Sequence, residues 1–252
     1  GGLYSLLEGR VLGFTFAPQV MKLVQRLAIR HIHKQIKDPE LRRKVTPDYT
    51  IGCKRILMSH NYYPALAAAN STVITEGIRA VTANGIVDGN GREREVDAII
   101  FGTGFAATEF LAPMRILGLD GRDLRQAWAD GAEAYKGISV SGFPNLFILY
   151  GPNTNLGHNS IVYMLESQFP YVLGCLRQLQ EQGLRYLDVK PEVQRRFNLE
   201  VQQGLRHTVW ERGCDSWYKT AAGKNTNNWP GYTFVYRWRT RRPELADYDL
   251  AR

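Results

Sequence analysis

Val96-Asp97-Ala98-Ile99-Ile100-Phe101-Gly102-Thr103-Gly104-Phe105 joins a short apolar run to a turn with almost no side chain. Ala98 to Phe101 has the length and unbroken hydrophobicity of a strand covered on both faces, the kind found in α/β sheets. Ligands of open α/β sheets sit just beyond such strand ends. Two glycines at that point let another molecule approach the backbone. A plain chain reversal would use the same Gly-x-Gly. The phosphate-binding fingerprint is a different pattern, because it needs a third glycine and a following helix.

Around this stretch lie 252 residues, 44% of them hydrophobic, enough to bury a substantial core in one large domain or two small ones. Disorder of the body is excluded on that ground. Lysine and arginine number 32 against 24 aspartates and glutamates, a net charge of +8 that suits a phosphate-bearing partner but is also common among soluble enzymes. Cys53, Cys175 and Cys214 are far apart, odd in number and without a Cys-x-x-Cys pair, so neither a disulfide framework nor a zinc or other metal site is expected. No apolar run approaches the ~20 residues that span a bilayer. The N-terminus lacks the charged leader and apolar core of a signal peptide, and a soluble, cytoplasmic protein is expected. The start at Gly1-Gly2 reads as a chain cut from something longer.

Local patterns sketch the elements. From Pro18 to Lys37 the positions Val20, Leu23, Val24, Leu27, Ala28, His31 and Ile32 follow helical spacing and predict an amphipathic helix with these residues packed inward. Thr72–Thr75, Gly77–Thr82 and Gly85–Val87 read as short strands divided by Asn84-Gly85 and Asp88-Gly89-Asn90-Gly91, a small antiparallel β-unit. Ser160 to Gln182 reads as a helix kinked at Pro170. Another follows Pro191, with Val193, Phe197, Val201 and Leu205 recurring every fourth residue. Tyr232 to Trp238 alternates like an edge strand, while Tyr236-Arg237-Trp238-Arg239-Thr240-Arg241-Arg242 mixes aromatics with arginines in a way that also fits single-stranded nucleic acid.

Several blocks, in order, resemble class B flavoprotein monooxygenases, the group that holds the flavin-containing and the Baeyer–Villiger monooxygenases. They are Gly52-Cys53-Lys54-Arg55 with Asn61-Tyr62-Tyr63, the Gly102-Thr103-Gly104-Phe105 turn, Ser141-Gly142-Phe143-Pro144-Asn145-Leu146-Phe147 with Gly151-Pro152-Asn153, and Ser216-Trp217-Tyr218. The glycine turns for the FAD and NADP pyrophosphates and the family fingerprint between them do not occur in the chain. The resemblance therefore implies an α/β fold that is the C-terminal part of a flavoprotein with two dinucleotide-binding domains, together with the small antiparallel β-unit and packing helices. Residues 1–96 would continue the NADP-binding domain with a helical insertion, 97–235 would complete the FAD-binding domain, and 236–252 would form a basic tail.

The chemistry so implied uses FAD and NADP. NADPH reduces the flavin, molecular oxygen adds, and a peroxyflavin inserts one oxygen atom into a ketone or aldehyde. Arg55 is the catalytic candidate, since a guanidinium stays protonated and offers fixed donors to an oxyanion. Lys54 is the candidate for the NADP ribose phosphate and Trp217 for the nicotinamide cofactor. Gly102, Thr103, Gly104 and Phe105, with Gly151, Pro152 and Asn153, are candidates for flavin contact, and His158, Asn159 and Ile161 for lining the substrate. Asn159 or Ser160 would equally serve to cap the helix that starts there, the more so Ser160. Ala106 departs from the acidic residue that many Baeyer–Villiger enzymes carry after the Gly-x-Gly-Phe turn. Two alternatives stay open: a flavin-containing monooxygenase oxidising nitrogen or sulfur, and a non-catalytic dinucleotide- or nucleic-acid-binding module. On the leading reading the partners are a small molecule and oxygen, with no nucleic acid and no membrane span, and the isolated chain is inactive.

Overall fold

The computed structural model describes residues 2–252, which divide into two compact units. One comprises the residues up to Leu23 with Tyr49–Ile56 and Ala106–Arg252, the other Val24–Asp48 and Leu57–Phe105.

In the first unit the helix Pro191–Leu205 begins where expected, with Pro191 in its first turn and Glu192 favourably placed near the positive end of the helix dipole. Val193, Phe197, Val201 and Leu205 are all buried, so the fourfold spacing marks the core-facing stripe. They pack with Met164, Tyr171 and Cys175 of the helix Ile161–Glu181, which runs through Pro170 without interruption. Trp210, Tyr218, Trp229 and Tyr236 complete the same core. Beside it Tyr186–Val189 pairs antiparallel with Tyr248–Ala251, Leu187 opposite Leu250. The Tyr248 hydroxyl ties this ribbon to the helix by a 2.7 Å bond with the Tyr171 hydroxyl.

The C-terminal residues differ from expectation. Thr233–Arg239 is an α-helix, not an edge strand. Thr233, Tyr236 and Thr240 are buried at spacings of three and four, the period of a helix, and the core contact of Tyr236 outweighs the apparent alternation. The arginines there have partners within the chain. Arg239 grips Glu200 through two 2.7 Å bonds, and Arg237 lies 4.1 Å from the centre of the Tyr163 ring.

In the second unit Ile78–Val81, Gly85–Asp88 and Glu93–Glu95 form the expected three-stranded antiparallel sheet; Thr72–Thr75 does not join it. The Asp88 carboxylate organises its turn by accepting from the Asn90 and Arg92 amides at 3.1 and 3.0 Å and from Arg94 Nε at 2.9 Å. The helix Met21–Gln35 forms too, but its inward face is rotated from the expected one. Ile32 is buried as expected, and so are Ile36 just beyond the helix and Met21, which belongs to the first unit, but Leu23 is 60% and Leu27 57% exposed. Both rows have helical spacing, so spacing alone does not decide which is buried.

Ala98–Phe101 makes no strand. Ile100 is 94% exposed, and no described segment offers this run a hydrogen-bonding edge. A strand exists only in its pairing, so apolar sequence without a neighbouring edge stays irregular.

Trp210 is fully buried in the core of the first unit. Trp210→Ala is expected to lower the unfolding free energy of the intact protein by about 3–5 kcal/mol in denaturant titration.

Candidate functional site

Arg55 stands at the end of Tyr49–Ile56, a short segment that belongs to the first unit. Its Nη2 donates to the Leu156 carbonyl at 3.0 Å. Two phenols lie beside the guanidinium, those of Tyr150 and Tyr218. Burial raises the pKa of both tyrosines, and the arginine charge pulls each back. Tyr150 donates its hydroxyl to Asn155 Oδ1 at 2.9 Å. The Tyr218 hydroxyl is buried and makes no hydrogen bond of good geometry among the described residues, but Arg55 stands beside it, and both its charge and its side-chain contact work against the rise of the phenol pKa. Lys54 is exposed, its Nζ 4.7 Å from the centre of the Tyr49 ring.

The segment is fastened to the loop that carries Trp217. Cys53 and Cys214 form a disulfide across 161 positions, with Cα atoms 6.1 Å apart, where the sequence led to no disulfide being expected. The physical reason lies in the fold, which brings together two cysteines too distant in the chain for any spacing rule to join. Ser216 Oγ donates to the Cys53 carbonyl at 3.3 Å. Trp217, 46% exposed, stacks obliquely on Tyr218 with ring centres 4.1 Å apart.

The loop Gly151–Asn153 is buried. A Cβ at Gly151 would collide with the Gly137 carbonyl oxygen, so internal packing already requires glycine there. Asn153, at a φ of +56, sends Nδ2 to the Asn225 and Asn228 carbonyls at 2.9 and 3.1 Å, and leaves Oδ1 buried without a partner among the described residues.

His158 is 4% exposed, its ring centre 5.6 Å from that of Phe14 and 6.1 Å from that of Trp210. Neither ring nitrogen has a partner among the described residues. Burial, with a smaller push from Arg10, holds its pKa down at about 4. Asn159 Nδ2 donates to the buried Glu8 carboxylate at 3.0 Å, and its Oδ1 accepts from the Ser160 amide at 2.7 Å. Ser160 occupies the cap position of the Ile161–Glu181 helix but makes no side-chain capping bond. Ile161, half-buried, packs against the core.

In the second unit, Gly102, Thr103, Gly104 and Phe105 are exposed and irregular, with Phe105 97% exposed. Space for a Cβ is empty at Gly102 and Gly104, and φ at Gly104 is +95. Open backbone of this kind fits close approach of a dinucleotide. In the first unit, separately, Lys54 and Arg55 have the charge to meet a phosphate. The arrangement around Arg55 can hold an anion. Sequence reasoning passed over Tyr150 and the role of Tyr218; only the Ser216-Trp217-Tyr218 block pointed near them.

His158 gives the site a pH dependence. Its folded pKa near 4 lies below the ordinary 6.5, so the unfolded chain binds the proton better between these values. The intact protein is expected to keep this part of its stability above pH 6.5 and to lose on the order of 3 kcal/mol as pH falls to 4. Urea titrations across that window should show the loss, and His158→Phe should flatten it.

No protein-family model matches the chain. It is 69% identical over 252 residues to a Baeyer–Villiger monooxygenase of Pseudomonas aeruginosa, covering 99% of this chain and 48% of that protein. A Baeyer–Villiger monooxygenase of Streptomyces coelicolor is 46% identical, with 100% of this chain and 49% of that protein covered. Among solved structures, an oxidised steroid monooxygenase bound to NADP superposes with a TM-score of 0.83 at 26% identity, over 95% of this chain and 47% of that one. OTEMO in complex with FAD and NADP gives 0.77 at 26% identity, over 91% and 44%. The chain spans about half the length of the curated relatives it matches. Sequence and fold agree that it belongs to the Baeyer–Villiger monooxygenase family and corresponds to the C-terminal part of those enzymes.

Proposed function

We propose that the intact protein containing this chain is an FAD- and NADPH-dependent monooxygenase that inserts one oxygen atom into a ketone or aldehyde. The observation that carries the reading is Arg55: a cation anchored at 3.0 Å by the Leu156 carbonyl and flanked by two phenols, in a family whose reaction passes through negatively charged oxygen. The flavin, when bound, supplies the reactive oxygen. The residues of this chain supply the surroundings. Arg55 holds negative charge on the reacting oxygen, because a guanidinium keeps its proton at any working pH and its donors are fixed before reaction begins. Lys54 is assigned to the NADP phosphate and Trp217 to the nicotinamide cofactor.

Gly102, Thr103, Gly104 and Phe105 are assigned to flavin contact through their open backbone, and Gly151, Pro152 and Asn153 as a packed loop facing the flavin. His158, Asn159 and Ile161 are assigned to the substrate side, His158 from a buried position against Phe14 and Trp210. Residues 1–96 are read as continuing an NADP-binding domain, 97–235 as completing an FAD-binding domain, and 236–252 as the chain's basic end. The chain alone is proposed to be inactive, since its sequence has no pyrophosphate-binding glycine turn. A cytoplasm that supplies NADPH is the compartment the reading calls for, and no helix among the described residues is long and apolar enough to cross a membrane.

In the intact protein Arg55→Ala is expected to cut ester or lactone formation by roughly 10²-fold or more while NADPH still reduces the flavin. Product assay beside anaerobic flavin bleaching checks this. Full oxygenation by the variant would remove Arg55 from the reaction and favour oxidation of nitrogen or sulfur.

A further inference from the structure

We propose that Tyr218 is a positioning residue for Arg55, its phenol oxygen and the Leu156 carbonyl together fixing the direction in which the guanidinium presents its charge. The inference deepens the proposed function and rests on it for the meaning of Arg55, though not for the pairing itself.

Tyr218 is fully buried, and its hydroxyl has no hydrogen-bond partner among the described residues. A hydroxyl in that state carries a desolvation cost that phenylalanine at the same place would avoid. On this proposal the neighbouring Arg55 guanidinium offsets that cost by facing the phenol oxygen. The same neighbour shows in the titration of the phenol: burial raises its pKa, Arg55 works against the rise, and Tyr150 adds to it. Those two groups are the charged and titratable neighbours the phenol faces.

The phenol is also well placed to act as a fixed reference. Ser216 Oγ accepts from the Tyr218 amide at 3.3 Å and donates to the Cys53 carbonyl at 3.3 Å. Asn227 Nδ2 donates to the Tyr218 carbonyl at 3.2 Å, and the Trp217 ring covers one side. Cys53–Cys214 then joins the two segments covalently. The backbone that carries the phenol and the backbone that carries Arg55 are therefore held to each other within a few residues of both side chains.

Arg55, by contrast, is exposed, with a long side chain and a hydrogen-bonded anchor at the Leu156 carbonyl. A guanidinium held at one nitrogen can still swing about that bond; a second oxygen beside it limits the swing. Tyr150 is the less suitable second anchor. Its hydroxyl is already committed to Asn155, and 43% of the residue is exposed.

The test uses the intact flavoprotein. With 3-fluorotyrosine incorporated at position 218, fluorine NMR follows ionisation of that one phenol, with and without Arg55→Ala. Tyr218→Phe, which keeps the ring, is assayed separately for FAD content, flavin reduction by NADPH, and kcat and KM for a ketone. The proposal expects the fluorine titration to move to higher pH in Arg55→Ala. It also expects Tyr218→Phe to retain FAD and flavin reduction while kcat for oxygenation falls roughly tenfold at little change in KM. An unmoved fluorine titration, or a Tyr218→Phe enzyme with parental kcat, would overturn it. If the parent protein oxygenates no ketone, the Baeyer–Villiger reading fails, and the fluorine shift alone then decides whether Tyr218 and Arg55 are coupled.

Discussion

The bond from Arg55 to the Leu156 carbonyl crosses 101 positions of sequence, and the candidate site depends on the short segment that makes it. Tyr49–Ile56 lies apart in sequence from the remainder of its unit, yet it is fastened there three times: by Arg55 to Leu156, by Cys53 to Cys214, and by the Cys53 carbonyl to Ser216. Electrostatic help for a reacting oxygen is worth most when the charge is already in place, because nothing then has to reorganise. A surface arginine on a free strand end would not meet that condition. These attachments turn an exposed side chain into one with a fixed base.

The same view explains why so much of the neighbourhood is buried polar structure. Asn153, Asn155, Asn225, Asn227 and Asn228 lie inside the first unit, and their amides bond to one another and to loop carbonyls. Loops that carry a site need their backbone groups satisfied without helix or strand, and side-chain amides do this at short range. Gly151 belongs to this packing, whereas Gly102 and Gly104 have open space around them. One residue type thus serves two purposes, internal closeness in one place and access in the other.

Much of this was legible where the signal is local. The Pro191 helix start, the fourfold apolar repeat after it and the turns around Asp88-Gly89-Asn90-Gly91 are written in adjacent residues, and the structure follows them. Ordered sequence blocks also led to the family. Features that depend on distant partners were not legible. Ala98–Phe101 has the composition of a strand but lacks an edge to pair with among the described residues. Leu23 and Leu27 have the spacing of a buried face, yet the neighbouring row of the helix took that place. His158 is enclosed by Phe14 and Trp210, brought from far along the chain on either side, and the disulfide joins cysteines 161 positions apart. Near the C-terminus the alternating pattern pointed to a strand and the burial of Tyr236 made a helix.

The most direct test of the central claim is to supply the intact protein with NADPH, a simple cyclic ketone and ¹⁸O₂, and to examine the product by mass spectrometry. The account predicts a lactone carrying one labelled oxygen. Recovery of unchanged ketone, alongside oxidation of an amine or sulfide offered under the same conditions, would contradict it.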